Sequence, residues 1–492
     1  MSHEWTFPAA DSGDLPAYPH LDRSFSIAPA AVSPEVIADA VIVIPGIMGT
    51  ELIDMETGKK LWGLDPDLIA RMWVAPSKYL TPLAVDPEHN TVRPGHLLRT
   101  PTFAPFLRGI DPYRNLVRAL EAIVRDPSAV SQFGYDWRLP VRYNARLLAE
   151  RIDSHVTWWR KVTGHTQARV HLVAHSMGGL LCHELSTISG ATDTVGAIVT
   201  LGTPFAGAAK AAVMLGTGKG APLPAHRLRE VAVTMPGIYD LLPSYRCLDS
   251  GTDVTRLSIP DMVAVGAHED LARAAFADRA ARAETSLPRH LPIIGVEQAT
   301  TCVLRIDSGQ IDGLRDTVGV DLVTGELLRD GAGNLRRFPG LGDGTVPRDS
   351  ALPPRDPARP DQTPRVSPLP QQHGPIAKTQ EAITKAKDFL LHRDSDLGPR
   401  LGDGDVGIDT PDIVTVGTEF DIAVRGPAKP NDIRCQLTQI GTRQPRRADA
   451  HRRDGNLVVS ATVYRPGLYR VAVAGSGTSA VEQIVLAVDP AQ

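Results

Sequence analysis

The first 394 residues alternate between short apolar runs and longer segments whose apolar positions repeat with helical spacing. Runs of four to seven mainly apolar residues are typical of strands buried on both faces, and the segments between them are typical of helices that cover a sheet. The apolar runs are Val41–Ile44, Val170–Ala174, Val195–Leu201 and Leu291–Val296, and the helical segments include Pro112–Arg125 and Asn144–Val162. This alternation predicts an α/β domain at 38–394 with a mostly parallel sheet.

The alternation is interrupted twice inside this domain. Residues from about 206 to 290 contain Ala-rich helical tracts without regularly spaced strands, which indicates an inserted cap, a common place for a substrate pocket. Residues 351–370 are rich in Pro and charge and are predicted to form a loop. Trp62 is predicted to begin a helical segment that ends near Trp73.

The pattern changes after residue 394. Residues 395–412 are rich in Gly, Asp and Pro and are predicted to be a linker, whereas 413–492 contain short runs of period-two alternation separated by turn residues. Such runs predict a C-terminal all-β, sandwich-like domain. Residues 1–37 are polar, contain several prolines and are predicted to be an N-terminal extension.

Composition and charge narrow the function class. The chain has 492 residues and a net charge of −4, and its Lys and Arg residues form no basic stripe. The sequence therefore gives no indication of a nucleic-acid partner. No basic segment followed by an apolar core is present at the N-terminus, so we expect a cytoplasmic protein that would meet lipid only peripherally, at a membrane surface. Four dispersed cysteines without metal-ligand spacing are predicted to be reduced and buried, namely Cys182, Cys247, Cys302 and Cys435.

Three turn or loop segments carry the residues of a nucleophilic site. Ser176 lies between a strand and a helix, with small residues at Ala174 and Gly178, as a nucleophile elbow requires. Asp343 lies in a Gly-Asp-Gly loop, and His373 follows the Pro-rich segment. The order Ser, Asp, His is that of α/β-hydrolases, in which His takes the serine proton and Asp orients His.

Backbone amides near this serine are predicted to form an oxyanion hole. The amide of Met177 begins the helix after the serine, and the amide of Ile47 lies in the Pro-Gly loop after the first strand. We expect no cofactor, and no metal, since no pair of cysteines has metal-ligand spacing.

Other residues compete for these roles. Three histidines lie near Ser176 in the sequence and are predicted to be structural, since a residue on the strand or elbow cannot reach the serine as a loop residue can: His171, His175 and His183. Four aspartates also precede His373 but lack the Gly-Asp-Gly setting: Asp307, Asp312, Asp316 and Asp330. Asp136 and Arg138 are predicted to be a structural ion pair that fixes a loop.

The motifs together resemble the lecithin:cholesterol acyltransferase family, which includes phospholipid:diacylglycerol acyltransferases and lysosomal-type phospholipases A2. The resemblance covers about 38–392 and rests on Val43–Thr50, Tyr135–Arg138, Ala174–Gly179, Gly202–Phe205, Leu241–Pro243, Gly342–Pro347 and His373. It implies an α/β-hydrolase fold and acyl transfer from a glycerolipid ester. It also implies that Trp62 lies in an active-site lid and that 206–245 help to form the acyl pocket; Met48 is a further candidate for substrate contact.

The sequence departs from that family in three respects. The lid segment lacks the cysteine pair of extracellular members, the elbow opens with Ala174 rather than Gly, and 413–492 fall outside the resemblance. The leading prediction is a serine esterase or lipase that passes through an acyl-enzyme on Ser176. The alternatives are an O-acyltransferase that uses an alcohol acceptor, and a non-catalytic binding or effector module. The C-terminal domain is a candidate for binding an unknown protein partner.

Overall fold

The computed structural model describes residues 36–63, 65–98, 113–220, 223–321, 324–355, 366–393, 406–426, 428–440, 442, 444–475 and 480–489. Most of the extension predicted at 1–37 lies outside these ranges. So do 356–365 of the predicted Pro-rich loop and 395–405 of the predicted linker.

Strands are numbered in chain order. Those before residue 394 are β1 (Ala40–Ile44), β2 (Thr50–Asp54), β3 (Lys60–Trp62), β4 (Val92–Leu97), β5 (Val130–Gln132), β6 (Val170–His175), β7 (Val195–Leu201), β8 (Arg246–Asp249), β9 (Val254–Arg256), β10 (His290–Gly295), β11 (Gln298–Ala299), β12 (Val303–Asp307), β13 (Gln310–Leu314), β14 (Asp316–Val318), β15 (Arg337–Pro339), β16 (Leu341–Gly342) and β17 (Ser367–Leu369). Those after it are β18 (Gly407–Asp409), β19 (Ile413–Thr415), β20 (Glu419–Arg425), β21 (Arg434–Gln439), β22 (Arg446–Ala448), β23 (Ala450–Arg453), β24 (Asn456–Thr462), β25 (Gly467–Ala474) and β26 (Val481–Val488).

The α-helices are α1 (Pro66–Val74), α2 (Pro76–Leu80), α3 (Arg114–Glu121), α4 (Val141–Thr163), α5 (Met177–Leu185), α6 (Ala209–Thr217), α7 (Ala225–Ala232), α8 (Pro236–Tyr239), α9 (Ile259–Ala264), α10 (Glu269–Ala283) and α11 (Gln380–Leu390). In the described part of the chain, no helix is both long enough and apolar enough to cross a bilayer.

The central sheet has the order β17-β10-β7-β6-β1-β5, and each pair of neighbouring strands is parallel. Strands β1 and β6 are buried along their whole length, as their continuous apolar runs predict. Helices α4 and α5 pack together and contact β1, β6 and β7, and helices α3 and α11 pack together and contact β5, β7 and β10. The predicted α/β fold with a parallel sheet is confirmed. Because all strands run the same way, their carboxyl ends meet at one edge.

Two predictions along this domain are wrong. The segment predicted as a loop at 351–370 contains β17, which pairs with β10 and is the edge strand of the central sheet among the described residues. Pro368 is tolerated there because an edge strand has one side without ladder hydrogen bonds. Trp62 does not begin a helix: it is the last residue of β3, and α1 begins at Pro66, where a proline is favourable.

Residues 206–290 form helices α6–α10 and strands β8 and β9. These strands join β12 and β13 in a separate four-stranded sheet of order β13-β12-β8-β9. The sheet of the predicted cap region is therefore completed by residues beyond 290. Helix α6 packs against β13.

The C-terminal part is a β-sandwich, as predicted. One sheet has the order β18-β20-β24-β23 and the other β19-β26-β25-β21-β22, and side chains of both share one apolar core. Strand β18 lies inside the segment predicted as a linker and pairs with β20. Three residues, Gly407, Ile408 and Asp409, are too few to show alternation, which is why the pattern failed to predict this strand.

Candidate active site

Ser176 lies at a sharp turn between β6 and α5, at the carboxyl edge of the central sheet. Its backbone has φ 53° and ψ −126°, a conformation that costs about 1–3 kcal/mol for a residue with a side chain. The turn is possible because its neighbours are small. A side chain on Gly46 would place its Cβ 2.8 Å from the Ser176 Cβ, and one on Gly178 would place it 2.5 Å from the Pro45 carbonyl oxygen.

His373 bridges the serine and the predicted aspartate. Its Nε2 lies 2.9 Å from Ser176 Oγ, and its Nδ1 lies 2.6 Å from Asp343 Oδ2. A carboxylate accepts hydrogen bonds, so this arrangement assigns the proton to Nδ1 and leaves Nε2 free to accept from the serine hydroxyl. The structure therefore brings together the three residues that the sequence singled out.

The loop after β16 holds Asp343 in place. Its Oδ1 accepts hydrogen bonds from the amides of Thr345 (2.9 Å) and Val346 (2.6 Å), while Oδ2 faces His373. The His373 amide donates to the Asp343 carbonyl oxygen at 2.8 Å. The Asp343 side chain is only 1% exposed. The Gly-Asp-Gly pattern thus marks a carboxylate in which one oxygen bonds to the loop backbone and the other faces His373.

Gly202 was not singled out as a site residue, but its lack of a side chain is required here. It has φ 59°, and an added Cβ would lie 3.0 Å from Asp343 Oδ2 and 3.2 Å from His373 Nδ1. A larger residue would crowd the Asp-His pair. The Gly-Thr-Pro-Phe motif carries this signal, although the sequence alone does not say what the glycine faces.

The loop after β1 forms a tight turn beside the serine. The Gly49 amide donates to the Gly46 carbonyl oxygen at 3.0 Å, and Met48 has φ 60°, as at the third position of a type II turn. Ile47 is the second residue of this turn. Because Gly46 contacts Ser176, the Ile47 amide lies one residue from that contact, on the same edge as the Met177 amide at the start of α5.

Trp62 is linked to the same turn. Its indole Nε1 donates to the Met48 carbonyl oxygen at 2.8 Å, and its ring meets Trp137 edge-on with centroids 5.5 Å apart. Trp137 in turn donates to the Thr50 carbonyl oxygen at 3.2 Å. Both Met48 and Trp62 are partly buried against the core. Their predicted role in contacting substrate stays a prediction.

A hydrogen-bonded group beside the site was missed by the sequence. The Tyr113 hydroxyl accepts from the Gly46 amide at 2.9 Å and lies 3.0 Å from His175 Nδ1. The other nitrogen of His175, Nε2, lies 3.0 Å from the His373 carbonyl oxygen. No spacing rule connects Tyr113 to the strand ends, so only the fold shows that it belongs beside them.

Of the competing histidines, His175 lies beside His373 but bonds to its backbone carbonyl oxygen, and the other two have partners away from the serine. His171 faces Asp39, with Nε2 3.1 Å from Oδ2, and His183 Nε2 lies 3.2 Å from the Thr285 carbonyl oxygen. Burial lowers the pKa of His183 to about 4, which keeps the ring neutral. Of the competing aspartates, Asp316 pairs with Arg337 at 2.7 Å, and the others are exposed: Asp307, Asp312 and Asp330.

Two further predictions are confirmed by contacts. Arg138 donates to both carboxylate oxygens of Asp136, at 2.9 and 2.6 Å, and both side chains are buried. Arg138 also donates to the Leu83 carbonyl oxygen at 3.2 Å, so the pair fixes a loop rather than taking part in the site. The four cysteines, all in the described part of the chain, are free and buried.

Comparisons with known proteins agree with these motifs. Residues 93–265, which include Ser176, match the model of the lecithin:cholesterol acyltransferase family. An uncharacterized protein of Saccharomyces cerevisiae, YJR098C, is 30% identical over 96 residues, which are 19% of this chain and 13% of the yeast protein. The chain thus matches only about an eighth of that relative's length.

Two solved structures are similar at low scores. The lipase BlEst2 of Bacillus licheniformis, in its propeptide form, is 13% identical with a TM-score of 0.33, covering 91% of this chain and 74% of the lipase. The phospholipase PlaB of Legionella pneumophila is 10% identical with a TM-score of 0.18, covering 92% of each chain. The family match over residues 93–265 agrees with the resemblance that the motifs indicated, and the parallel sheet agrees with the predicted α/β fold.

Proposed function

We propose that the protein is a serine esterase or lipase that cleaves a lipid ester through an acyl-enzyme on Ser176. The observation that carries this proposal is the 2.9 Å approach of His373 Nε2 to Ser176 Oγ, with Asp343 2.6 Å from the other ring nitrogen. A serine hydroxyl becomes an effective nucleophile only beside a positioned base. Here the base is His373, and the Asp343 carboxylate orients its ring.

The reaction proceeds in two halves. Ser176 Oγ attacks the ester carbonyl carbon while its proton passes to His373 Nε2. The negative charge that develops on the carbonyl oxygen is stabilised by the amides of Ile47 and Met177. The carbon–oxygen bond of the leaving group then breaks, and His373 returns the proton to the departing alcohol. An acyl chain remains esterified to Ser176.

The second half releases the acyl group. His373 takes a proton from water, which attacks the acyl carbonyl carbon, and Ser176 leaves with a proton from His373. The product is then a carboxylic acid. If an alcohol attacks instead of water, the product is a new ester. The family match over residues 93–265 favours testing this second outcome, because that family is named for acyl transfer.

The partly buried apolar residues beside the site support an acyl substrate. Ile47, Met48 and Trp62 pack against the core with part of their surface open, and Phe205 follows the Gly202 turn. Apolar walls around a few polar groups are typical of sites that bind hydrocarbon chains. The peripheral contact with a membrane surface and the cytoplasmic location stay predictions.

A panel of substrates tests the function. Purified protein is assayed on p-nitrophenyl esters of increasing chain length and on phosphatidylcholine vesicles, each with and without an alcohol acceptor. We expect turnover that rises with acyl length, and labelling by a fluorophosphonate that is lost in Ser176→Ala. Ser244→Ala, which removes a hydroxyl bonded to the Ala206 carbonyl oxygen, is the matched control. A folded wild-type protein that neither labels nor cleaves any ester would be the non-catalytic module.

A further inference from the structure

The two glutamines directly before His373 are buried against the C-terminal sandwich. The Gln371 side chain is almost fully buried, and its Nε2 donates to the Ala480 carbonyl oxygen at 3.1 Å. Its Oε1 accepts from the Glu482 amide at 3.2 Å. One side-chain amide thus pairs with two backbone groups, that of Ala480 directly before β26 and that of Glu482 within it, as the backbone of a neighbouring strand would.

Gln372 makes a second connection to the sandwich. Its Nε2 lies 3.4 Å from three acceptors: Gln298 Oε1, the Ile408 carbonyl oxygen and Gln483 Oε1. Gln298 is fully buried, and its Oε1 also accepts from the Ile408 amide at 2.9 Å. Strands β11, β18 and β26 therefore meet through buried amides beside the loop that carries His373.

The same loop is confined on its other side by the loop of Asp343. A side chain on Gly344 would overlap Gln372 Oε1, and one on Gly295 would place its Cβ 2.9 Å from the Gln371 carbonyl oxygen. The His373 amide bonds to the Asp343 carbonyl oxygen at 2.8 Å. The loop therefore lies between the Asp343 loop and the sandwich, in contact with both.

Ion pairs also join the two sides at the edge of this interface. Lys378, five residues after His373, pairs with Glu482 at 2.8 Å. Arg315 pairs with Asp409 of β18. The sandwich thus contacts residues before His373 (Gln371 and Gln372) and after it (Lys378), and its strand β18 contacts β11.

We propose that the C-terminal β-sandwich is a positioning element of the active site, acting through Gln371 and Gln372 on His373. This inference rests on the proposed function and makes the sandwich part of the catalytic unit rather than a separate binding module. The geometry of a base matters steeply: a displacement of 1 Å can cost about 100-fold in rate. The buried side-chain amides of Gln371 and Gln372, through their hydrogen bonds to the sandwich, hold the loop that carries His373. They do so without touching the substrate.

The test uses the full chain with Gln371→Met, which keeps the side-chain length and removes the hydrogen bonds to Ala480 and Glu482, together with the one that Gln371 Oε1 accepts from the Gln372 amide at 2.9 Å. Activity on a p-nitrophenyl ester is expressed per active site titrated with a fluorophosphonate, so that unfolded protein is not counted. We expect kcat to fall roughly 10- to 100-fold with KM within about twofold, because His373 is displaced while the substrate surface is kept.

Gln439→Met is the matched control. Gln439 also donates from its side-chain amide within the sandwich, to the Pro466 carbonyl oxygen at 3.2 Å. It pairs with Tyr469 near the start of β25, whereas Glu482 pairs with Ala472 farther along that strand. We expect wild-type kcat and KM for this variant.

The outcomes separate the two proposals. If wild-type protein cleaves esters and kcat per titrated site is unchanged in Gln371→Met, the positioning role is wrong, whereas the proposed esterase function is supported. A lower titre of fluorophosphonate-reactive sites with unchanged kcat per site would show that Gln371 contributes to stability alone, and this result would also overturn the positioning role. If Gln371→Met does not fold, Gln483→Met decides the question from the sandwich side: a several-fold drop in kcat supports the role, and wild-type kcat refutes it.

Discussion

The Nε2 of His175 lies 3.0 Å from the backbone carbonyl oxygen of His373. Because a carbonyl only accepts, His175 carries its proton on Nε2, and its Nδ1 accepts from the Tyr113 hydroxyl. Tyr113 accepts in turn from the Gly46 amide. Burial lowers the pKa of His175 to about 3, so the ring stays neutral and keeps these two hydrogen bonds at every pH near neutrality. The turn after β1 and the loop that carries His373 are thereby connected.

Removing the Tyr113 hydroxyl is expected to impair this connection. Tyr113→Phe leaves the buried Gly46 amide and His175 Nδ1 without this partner, at a cost of about 1–3 kcal/mol. We expect the free energy of unfolding to fall by that amount, as measured in urea, and kcat/KM to fall roughly tenfold. Tyr469→Phe loses one hydroxyl bond, to the Arg465 carbonyl oxygen in the sandwich, and should keep wild-type kcat/KM. Wild-type kcat/KM in Tyr113→Phe would show that the connection does not reach catalysis.

Replacing the carboxylate of Asp343 tests its role behind His373. Asp343→Asn keeps the shape but can present an NH2 group to His373 Nδ1, which favours the wrong tautomer, and it removes the charge that stabilises the imidazolium. We expect kcat to fall on the order of 1,000- to 10,000-fold while KM changes little. Asp330→Asn is the control, since Asp330 is exposed and bonds within its own loop, to the Asn334 amide at 2.9 Å. A loss below tenfold in Asp343→Asn would assign the acid to another residue.

The sequence predicts the parts of this site that follow strand ends and fails for those that depend on contacts between distant segments. Ser176 and Asp343 could be found because each lies in a short Gly- or Ala-bounded turn with a recognisable purpose. The parallel sheet then places these turns at one edge, so their proximity to His373 follows from the fold class. None of this requires knowledge of individual contacts.

Tyr113 and Gln371 carry no comparable signal. Tyr113 lies 62 residues before His175, and Gln371 lies 111 residues before Glu482. A tyrosine that begins a helix and a glutamine in a loop are common, and only tertiary packing gives them a role. Strand β17 was missed for a related reason, because three residues containing a proline do not resemble a strand until a neighbour pairs with them.

The stability of the protein is expected to fall in acid because buried histidines stay neutral in the folded state. His155 is buried in α4 with Nε2 2.9 Å from the Ala129 carbonyl oxygen, and burial lowers its pKa to about 4. Between pH 6.5 and 4 the unfolded chain binds a proton at this residue that the folded chain does not. Stability from this group is therefore present above pH 6.5 and is lost as the pH falls toward 4.

His155→Gln tests the size of this effect, because glutamine can still donate to Ala129 but does not titrate. Between pH 7 and 5 the wild-type protein should lose roughly 2 kcal/mol more unfolding free energy than the variant, as measured by urea unfolding at each pH. His451→Gln, an exposed position on β23, is the control and should follow the wild-type curve. Parallel pH dependence in His155→Gln and wild type would contradict the buried, neutral assignment.

The oxyanion role of Ile47 can be separated from the shape of its turn. Proline fits the second position of a type II turn, so Ile47→Pro should preserve the turn from Gly46 to Gly49 while removing the amide hydrogen. We expect kcat to fall about 100- to 1,000-fold, as when one oxyanion donor is lost, with little change in KM. Ile47→Val keeps the amide and should retain nearly full turnover, because the proposed contribution is made by the backbone. Circular dichroism and the urea midpoint check that both variants fold. Equal kcat in the two variants would show that the Ile47 amide does not stabilise the oxyanion. A second donor beside the Met177 amide would then have to come from another residue.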